Sequence, residues 1–211
     1  MTITTRPTTS ATVLGGAITL PQNACLHAEA RPVRPWTGEE GTAGTVTVVG
    51  AGKMGLPLAA QFASHGWSVI AVDVNEAVVA ALNEGRAHVA EEPDLAERVA
   101  AAHEAGLLRA TVDGMAAARE SDVIVLIVPV MLDEEQHPDY GHMDAAADAI
   151  APGVRAGATV IFETTLPVGD TRTRYAPLLE AATGLVADRD FFVAFSPERL
   201  FSGSVVRNLA T

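Results

Sequence analysis

The residues in this sequence whose types and spacing could do chemistry are glycines. Gly50-Ala51-Gly52-Lys53-Met54-Gly55 follows a β-branched run, and Asp73 closes the next such run 18 residues beyond Gly55. In a strand–turn–helix setting each position has a separate task. Gly50 permits a tight turn, Gly52 removes a side chain that would hold a pyrophosphate off the backbone, and Gly55 lets the helix pack close to the strand. The backbone N–H groups at Lys53 and Met54 then face the phosphates at the positive end of the helix, and Lys53 contributes its N–H more than its charge. A carboxylate at Asp73 would accept hydrogen bonds from both adenosine ribose hydroxyls and repel a 2′-phosphate, which favours NAD over NADP.

Other reactive side chains lack a comparable setting. Cys25 is the only cysteine, which excludes an intramolecular disulfide and a cysteine-rich metal site and makes a reducing, cytoplasmic location the default. The six histidines, at 27, 65, 88, 103, 137 and 142, form no HExxH and no i, i+4 pair within a helix, so no metal is expected. Asp133, Glu134 and Glu135 read as a solvated loop, and Trp36 and Trp67 have no basic partners with which to stack bases. A net charge of -12 repels phosphate backbones and anionic headgroups, so neither nucleic acid nor a membrane is an expected partner. A helix N-terminus still binds a dinucleotide locally whatever the global charge. The longest apolar stretch, Val123 to Met131, is strand-sized and interrupted by Pro129, too short to span a bilayer.

The elements that must position the turn follow from periodicity. Residues 1–43, rich in Thr, Pro, Gly, Ala and Arg, show no period of 2 or 3.6 and read as a flexible N-terminal extension. Residues 44–211 read as one domain in which β-branched runs alternate with Ala-rich amphipathic stretches, as βα units do. The predicted strands are Val46–Val49, Ser68–Val72, Leu108–Val112, Val123–Val128, Thr159–Glu163 and Phe191–Phe195. The predicted helices are Met54–His65, Glu76–Asn83, Pro93–Ala105, Gly114–Arg119, Asp144–Ile150 and Thr171–Ala182. The run Val123–Val128 lacks alternation, as a strand covered on both faces does. The expected fold is α/β, a Rossmann-like doubly wound, mainly parallel six-stranded sheet with helices on both faces.

Several segments together resemble the N-terminal, NAD-binding domain of the UDP-glucose/GDP-mannose dehydrogenases, the nucleotide-sugar 6-dehydrogenases. They are GLPLA at Gly55–Ala59, EEPDL at Glu91–Leu95, GLLRATVD at Gly106–Asp113 and VPVMLDEEQHPD at Val128–Asp139, with TTLPVG at Thr164–Gly169 and SPERLFSG at Ser196–Gly203 the most specific. The resemblance covers about 46–209 and implies oxidation of a nucleotide-linked hexose at C6, from primary alcohol to carboxylate, with two NAD reduced. It implies that Thr165 hydrogen-bonds the water or sugar oxygen near the cofactor, and that Glu198 positions water and acts as general base. Val130 stands where the family carries a threonine near the cofactor, so one hydrogen bond to NAD is lost. Ser202 stands where the UDP-glucose branch tends to carry a second glutamate, which leans toward N-acetylhexosamine substrates.

The family performs its covalent step with a cysteine in a GxGFGGxC loop. No such loop occurs in the 211 residues, and Cys25 has no glycine-rich context or placed base. The expectation is a chain truncated before the catalytic cysteine, incomplete alone, with a separate chain as one source of the nucleophile. Two other readings remain: a β-hydroxyacid dehydrogenase-like NAD-binding domain, which GAGKMGLPLA also resembles, and a non-catalytic NAD-binding module.

Overall fold

Short runs of Val, Ile and Thr pair into strands where each can be covered on both faces, and here helices supply the cover. The computed structural model describes residues 43–197 and, beyond them, Gly203, Val205 and Asn208. In chain order the strands are β1 (Thr45–Val49), β2 (Ser68–Val72), β3 (Leu108–Thr111), β4 (Val123–Leu126), β5 (Met131–Leu132), β6 (Pro138–Asp139), β7 (Thr159–Glu163) and β8 (Phe192–Ser196). The helices are α1 (Gly55–Ser64), α2 (Glu76–Asn83), α3 (Leu95–Glu104), α4 (Gly114–Glu120), α5 (Gly141–Ile150) and α6 (Ala176–Thr183). Six strands form one sheet in the order β3-β2-β1-β4-β7-β8, and every neighbouring pair is parallel.

Period-2 alternation sorts the strand residues onto two faces. Val46, Val48, Val69, Ala71 and Val125 pack with Leu56, Ala59 and Ala63 of α1 and with Leu95 and Val99 of α3. Val49, Ile70, Ile124, Leu126, Val160 and Phe162 face the other way, against Ala117 of α4, Met143 and Ile150 of α5 and Leu179 of α6. Burial of a side chain such as Leu56 or Ile124 contributes about 1.5–3 kcal/mol. Thr47, buried within β1, exchanges a 2.7 Å hydrogen bond with Ser121, whose hydroxyl bonds the Ala117 carbonyl, so its polar atom is satisfied.

The expected doubly wound sheet is therefore present, with differences at its boundaries. β4 ends at Leu126, not Val128, and β3 ends at Thr111 rather than Val112. α3 begins at Leu95 because Asp94 takes a left-handed conformation (φ 61°), which stops the helix reaching back to Pro93. α5 starts at Gly141, earlier than expected. The predicted helix Thr171–Ala182 is two pieces, a π-helical turn over Thr171–Tyr175 and then α6. Pro177 lacks the N–H that a continuous α-register needs, and the wider turn accommodates that break. The acidic segment, expected as loop, is the turn of an antiparallel hairpin of β5 and β6, with Asp133 accepting from the His137 N–H at 2.7 Å. Its strands are two residues each, too short for periodicity to register. The expectations for residues 1–42, and those for Cys25 and Glu198, lie outside the described residues.

Candidate cofactor site

Parallel pairing brings the C-terminal ends of all six strands to one edge, and the strand order reverses between β1 and β4. The chain leaving β1 crosses one face of the sheet and the chain leaving β4 crosses the other. Their loops part there, at the edge where open α/β sheets take their ligands. The glycine turn occupies it. The Gly50 N–H donates to the Val72 carbonyl (2.8 Å), and the Leu56 N–H reaches back to the Gly52 carbonyl (3.0 Å) to start α1.

The three glycines of the turn differ in what demands them. Gly50 has φ +98°, and a Cβ on it would stand 3.0 Å from the Ile127 carbonyl oxygen. At Gly55 a Cβ would fall 1.8 Å from the Gly50 carbonyl oxygen and 2.8 Å from Ile127 Cγ2. Folding alone accounts for both. Gly52 lies outside the left-handed region, and no described atom comes within 4 Å of where its Cβ would be. Neither backbone strain nor packing asks for glycine there, so the open space fits a group that must lie against the backbone. α1 also begins without a side-chain cap and without an acid in its first turn. Its positive end is thus left to an anion.

Asp73 stands at the end of β2, beside this turn. Its Oδ2 accepts from the Ala51 N–H (3.0 Å) and its Oδ1 from the Asn75 N–H (2.9 Å), while the Asn75 side chain caps α2 by accepting from Ala77 N–H (3.0 Å). The carboxylate is thereby aimed by two backbone bonds. Each ionised carboxylate oxygen has room for a second donor. That capacity is what two vicinal ribose hydroxyls need.

Val130, on the chain leaving β4, is half-buried and packs against the core layer that holds Phe162 and Met143. Thr165 is exposed just beyond β7, at the edge that carries the glycine turn. β7 and β8 pair in parallel with Glu163 opposite Ser196, so Thr165 and Pro197 both leave the sheet at that edge. Met54 precedes α1 as its N-cap. The Lys53 ammonium is not simply solvated: it forms a 2.6 Å ion pair with Glu91. Its hydrogen bond to Glu91 holds that carboxyl below the usual carboxylate range. Glu91 lies in the EEPDL segment, and nothing in its local sequence announces this pairing.

A second cluster braces the Thr165 loop. The Tyr140 hydroxyl donates to Asp170, at the far end of the loop, and burial followed by that bond pushes the Tyr140 phenol up. The Arg174 guanidinium lies 4.2 Å from the Tyr140 ring centroid and grips Asp144 through Nε (2.9 Å) and a second nitrogen. Phe162 stacks on Tyr175 at 4.5 Å. The hydrogen bond from Arg174 holds the Asp144 carboxyl below its ordinary value. A depressed folded-state pKa contributes stability that is present above the unfolded value, about 4, and is lost as pH falls below it. Asp144→Asn should therefore lower stability at pH 7 by about 0.5–1 kcal/mol and by clearly less at pH 3. Urea midpoints at the two pH values measure it, and an equal loss at both would refute the assignment.

Among the described residues no group of three or more His, Cys, Asp or Glu side chains could hold a metal ion, and no helix is long and apolar enough to cross a membrane. The family model described as "UDP-glucose/GDP-mannose dehydrogenase family, NAD binding domain" matches residues 44–211. UDP-N-acetyl-D-mannosamine dehydrogenase of Escherichia coli K12 is 38% identical over 171 residues, 78% of this chain and 40% of that protein. NDP-N-acetyl-D-galactosaminuronic acid dehydrogenase of Ralstonia solanacearum is 39% identical over 171 residues, 78% of this chain and 39% of its own length. The solved UDP-D-ManNAc dehydrogenase of Pyrococcus horikoshii superposes with a TM-score of 0.73 at 34% identity, over 78% of this chain and 38% of that one. The chain thus spans about 40% of the length of the relatives it matches.

Proposed function

Because the chain belongs to the UDP-glucose/GDP-mannose dehydrogenase family and carries its NAD-binding domain, we propose that residues 44–211 hold NAD for oxidation of the C6 hydroxyl of a UDP- or GDP-linked hexose to a carboxylate. The observation that supports this most directly is Gly52, whose missing side chain serves neither fold nor packing among the described residues and leaves the backbone open at a helix end without a side-chain cap. Gly50, Gly52, Lys53, Met54 and Gly55 would carry the pyrophosphate, and Asp73 the adenosine ribose. NAD, when bound, supplies the hydride acceptor, and two are needed for a four-electron oxidation. Thr165, at the same edge of the sheet, would hydrogen-bond the sugar or water oxygen. Glu198 would take the proton as general base.

The lean toward N-acetylhexosamine substrates gains support from the relatives, which include a UDP-N-acetyl-D-mannosamine dehydrogenase and an NDP-N-acetyl-D-galactosaminuronic acid dehydrogenase. The family match also favours this reading over a β-hydroxyacid dehydrogenase. The single cysteine of the 211 residues, Cys25, precedes β1 and has no motif around it. A cysteine-bearing portion, in the same protein or a separate chain, would complete the reaction, and these residues alone would bind NAD without turning over substrate. A cytoplasmic setting suits both the NAD supply and the lone thiol.

Thermal unfolding with and without NAD tests the cofactor reading. At a hundred times Kd the ligand should stabilise the protein by about 2.7 kcal/mol, and no rise in Tm at saturation would defeat it. NADH production from UDP-hexoses, with and without a cysteine-bearing partner, tests the reaction. Asp73→Ala should weaken NAD binding, reduce discrimination against NADP, and destabilise the fold by about 1–3 kcal/mol, since it strips the buried Ala51 N–H of its acceptor. An unchanged NAD-to-NADP preference would argue against the ribose role.

A further inference from the structure

Lys53 is the only lysine in 211 residues that carry a net charge of -12, and it sits inside the phosphate-binding turn. In the structure that cation is already taken, by Glu91 at 2.6 Å. Glu91 is presented from an anchored backbone: Val89 on one side and Glu92 and Leu95 on the other are buried, at 8%, 5% and 0% exposure. That backbone is thereby held beside the turn, and the lysine, with the longer side chain, has the greater reach. Both side chains are more than half exposed, at 61% and 51%, so the pair adds little to stability and separates easily. An ion pair of that kind, placed where a doubly charged pyrophosphate is to lie, reads as a device for the ligand.

Resting on the NAD reading above, we infer that Glu91 holds Lys53 in reserve, and that Lys53 passes from Glu91 to the dinucleotide pyrophosphate on binding, so that Glu91 sets the affinity of the site. With the pair closed, Glu91 cancels the lysine charge and the turn binds through its backbone N–H groups. With the lysine transferred, the pyrophosphate gains a charge-assisted contact, and Glu91 is left ionised beside it. The remaining carboxylate opposes the phosphates, so the exchange is nearly balanced and release stays quick. A dehydrogenase that must take up two oxidised dinucleotides and discharge two reduced ones per substrate benefits from such a balance.

Calorimetric titration of the wild type, Glu91→Gln, Lys53→Met and the double variant with ADP-ribose, NAD and adenosine tests the inference, with Tm confirming that each variant is folded. Glu91→Gln frees the cation and should tighten ADP-ribose and NAD binding by about three- to tenfold. Lys53→Met leaves an unpaired carboxylate facing the phosphates and should weaken both by about tenfold. The double variant should return to within about threefold of wild type. Adenosine, which lacks the pyrophosphate, should bind all four alike. Acetylation of Lys53, followed by peptide mass mapping, should be faster in Glu91→Gln than in wild type and should slow again when ADP-ribose is added. Unchanged or weaker binding by Glu91→Gln, or equal shifts for adenosine, would overturn the exchange while leaving NAD binding by the wild type intact. Failure of the wild type itself to bind NAD would instead remove the cofactor reading and this inference together.

Discussion

Gly52→Val should leave the fold intact and abolish cofactor binding. The backbone at position 52 lies outside the left-handed region, and no described atom would touch the new side chain within 4 Å of its Cβ. The stability change should stay within about 0.5 kcal/mol, as for other exposed positions that carry no strain. The isopropyl group would instead fill the space through which the pyrophosphate reaches the backbone N–H groups at the start of α1. Loss of those contacts should raise the Kd for NAD at least about a hundredfold, equivalent to about 2.7 kcal/mol. Calorimetric titration beside a melting curve reads both quantities. A valine variant that melts like wild type and still binds NAD with wild-type affinity would show that the dinucleotide does not lie against this turn.

Gly55→Ala should do the reverse and strike the fold itself. The added Cβ would be 1.8 Å from the Gly50 carbonyl oxygen and 2.8 Å from Ile127 Cγ2, with Gly50 itself held at φ +98° and bonded to Val72. The nearest obstacle is backbone, not the end of a flexible side chain, so α1 must move off β1. α1 carries Leu56, Ala59, Ala60 and Ala63 into one of the two core layers, and displacing it opens that layer along its length. The expected loss is at least about 3 kcal/mol, at the upper end for overpacking. For a protein of ordinary stability this is a large share of the total. Chemical denaturation measures it, and a native-like midpoint would mean that the helix and strand are not packed as closely as described. The two substitutions, three residues apart in one motif, separate what the turn does for the ligand from what it does for the chain.

Much of this was legible in residue order. The six sheet strands, the crossovers on both faces and the glycine turn with its acid follow from β-branched runs, Ala-rich stretches and a fixed spacing, all of which are short-range signals. Other features were not. Gly153 belongs to no motif, yet a Cβ there would lie 2.2 Å from the Met115 carbonyl oxygen. Its necessity arises from how closely α4 approaches the turn that follows α5. The β5–β6 hairpin escaped because two residues per strand cannot display a period. The brace of Tyr140 on Asp170 joins residues 30 apart, and neither side chain stands out locally.

The sequence by itself determined the fold class and the place of the cofactor turn, because hydrophobic periodicity and glycine spacing act within a few residues of where they are read. It also placed Asp73 there, since the end of β2 must emerge beside the turn that follows β1. Only the tertiary structure decided that Asp73 is aimed by Ala51 and Asn75, that Lys53 is engaged by Glu91, and that Val130 turns into the core. Those pairings depend on the paths of loops between elements, and a loop's path is set by where its two anchors pack, which local sequence does not encode.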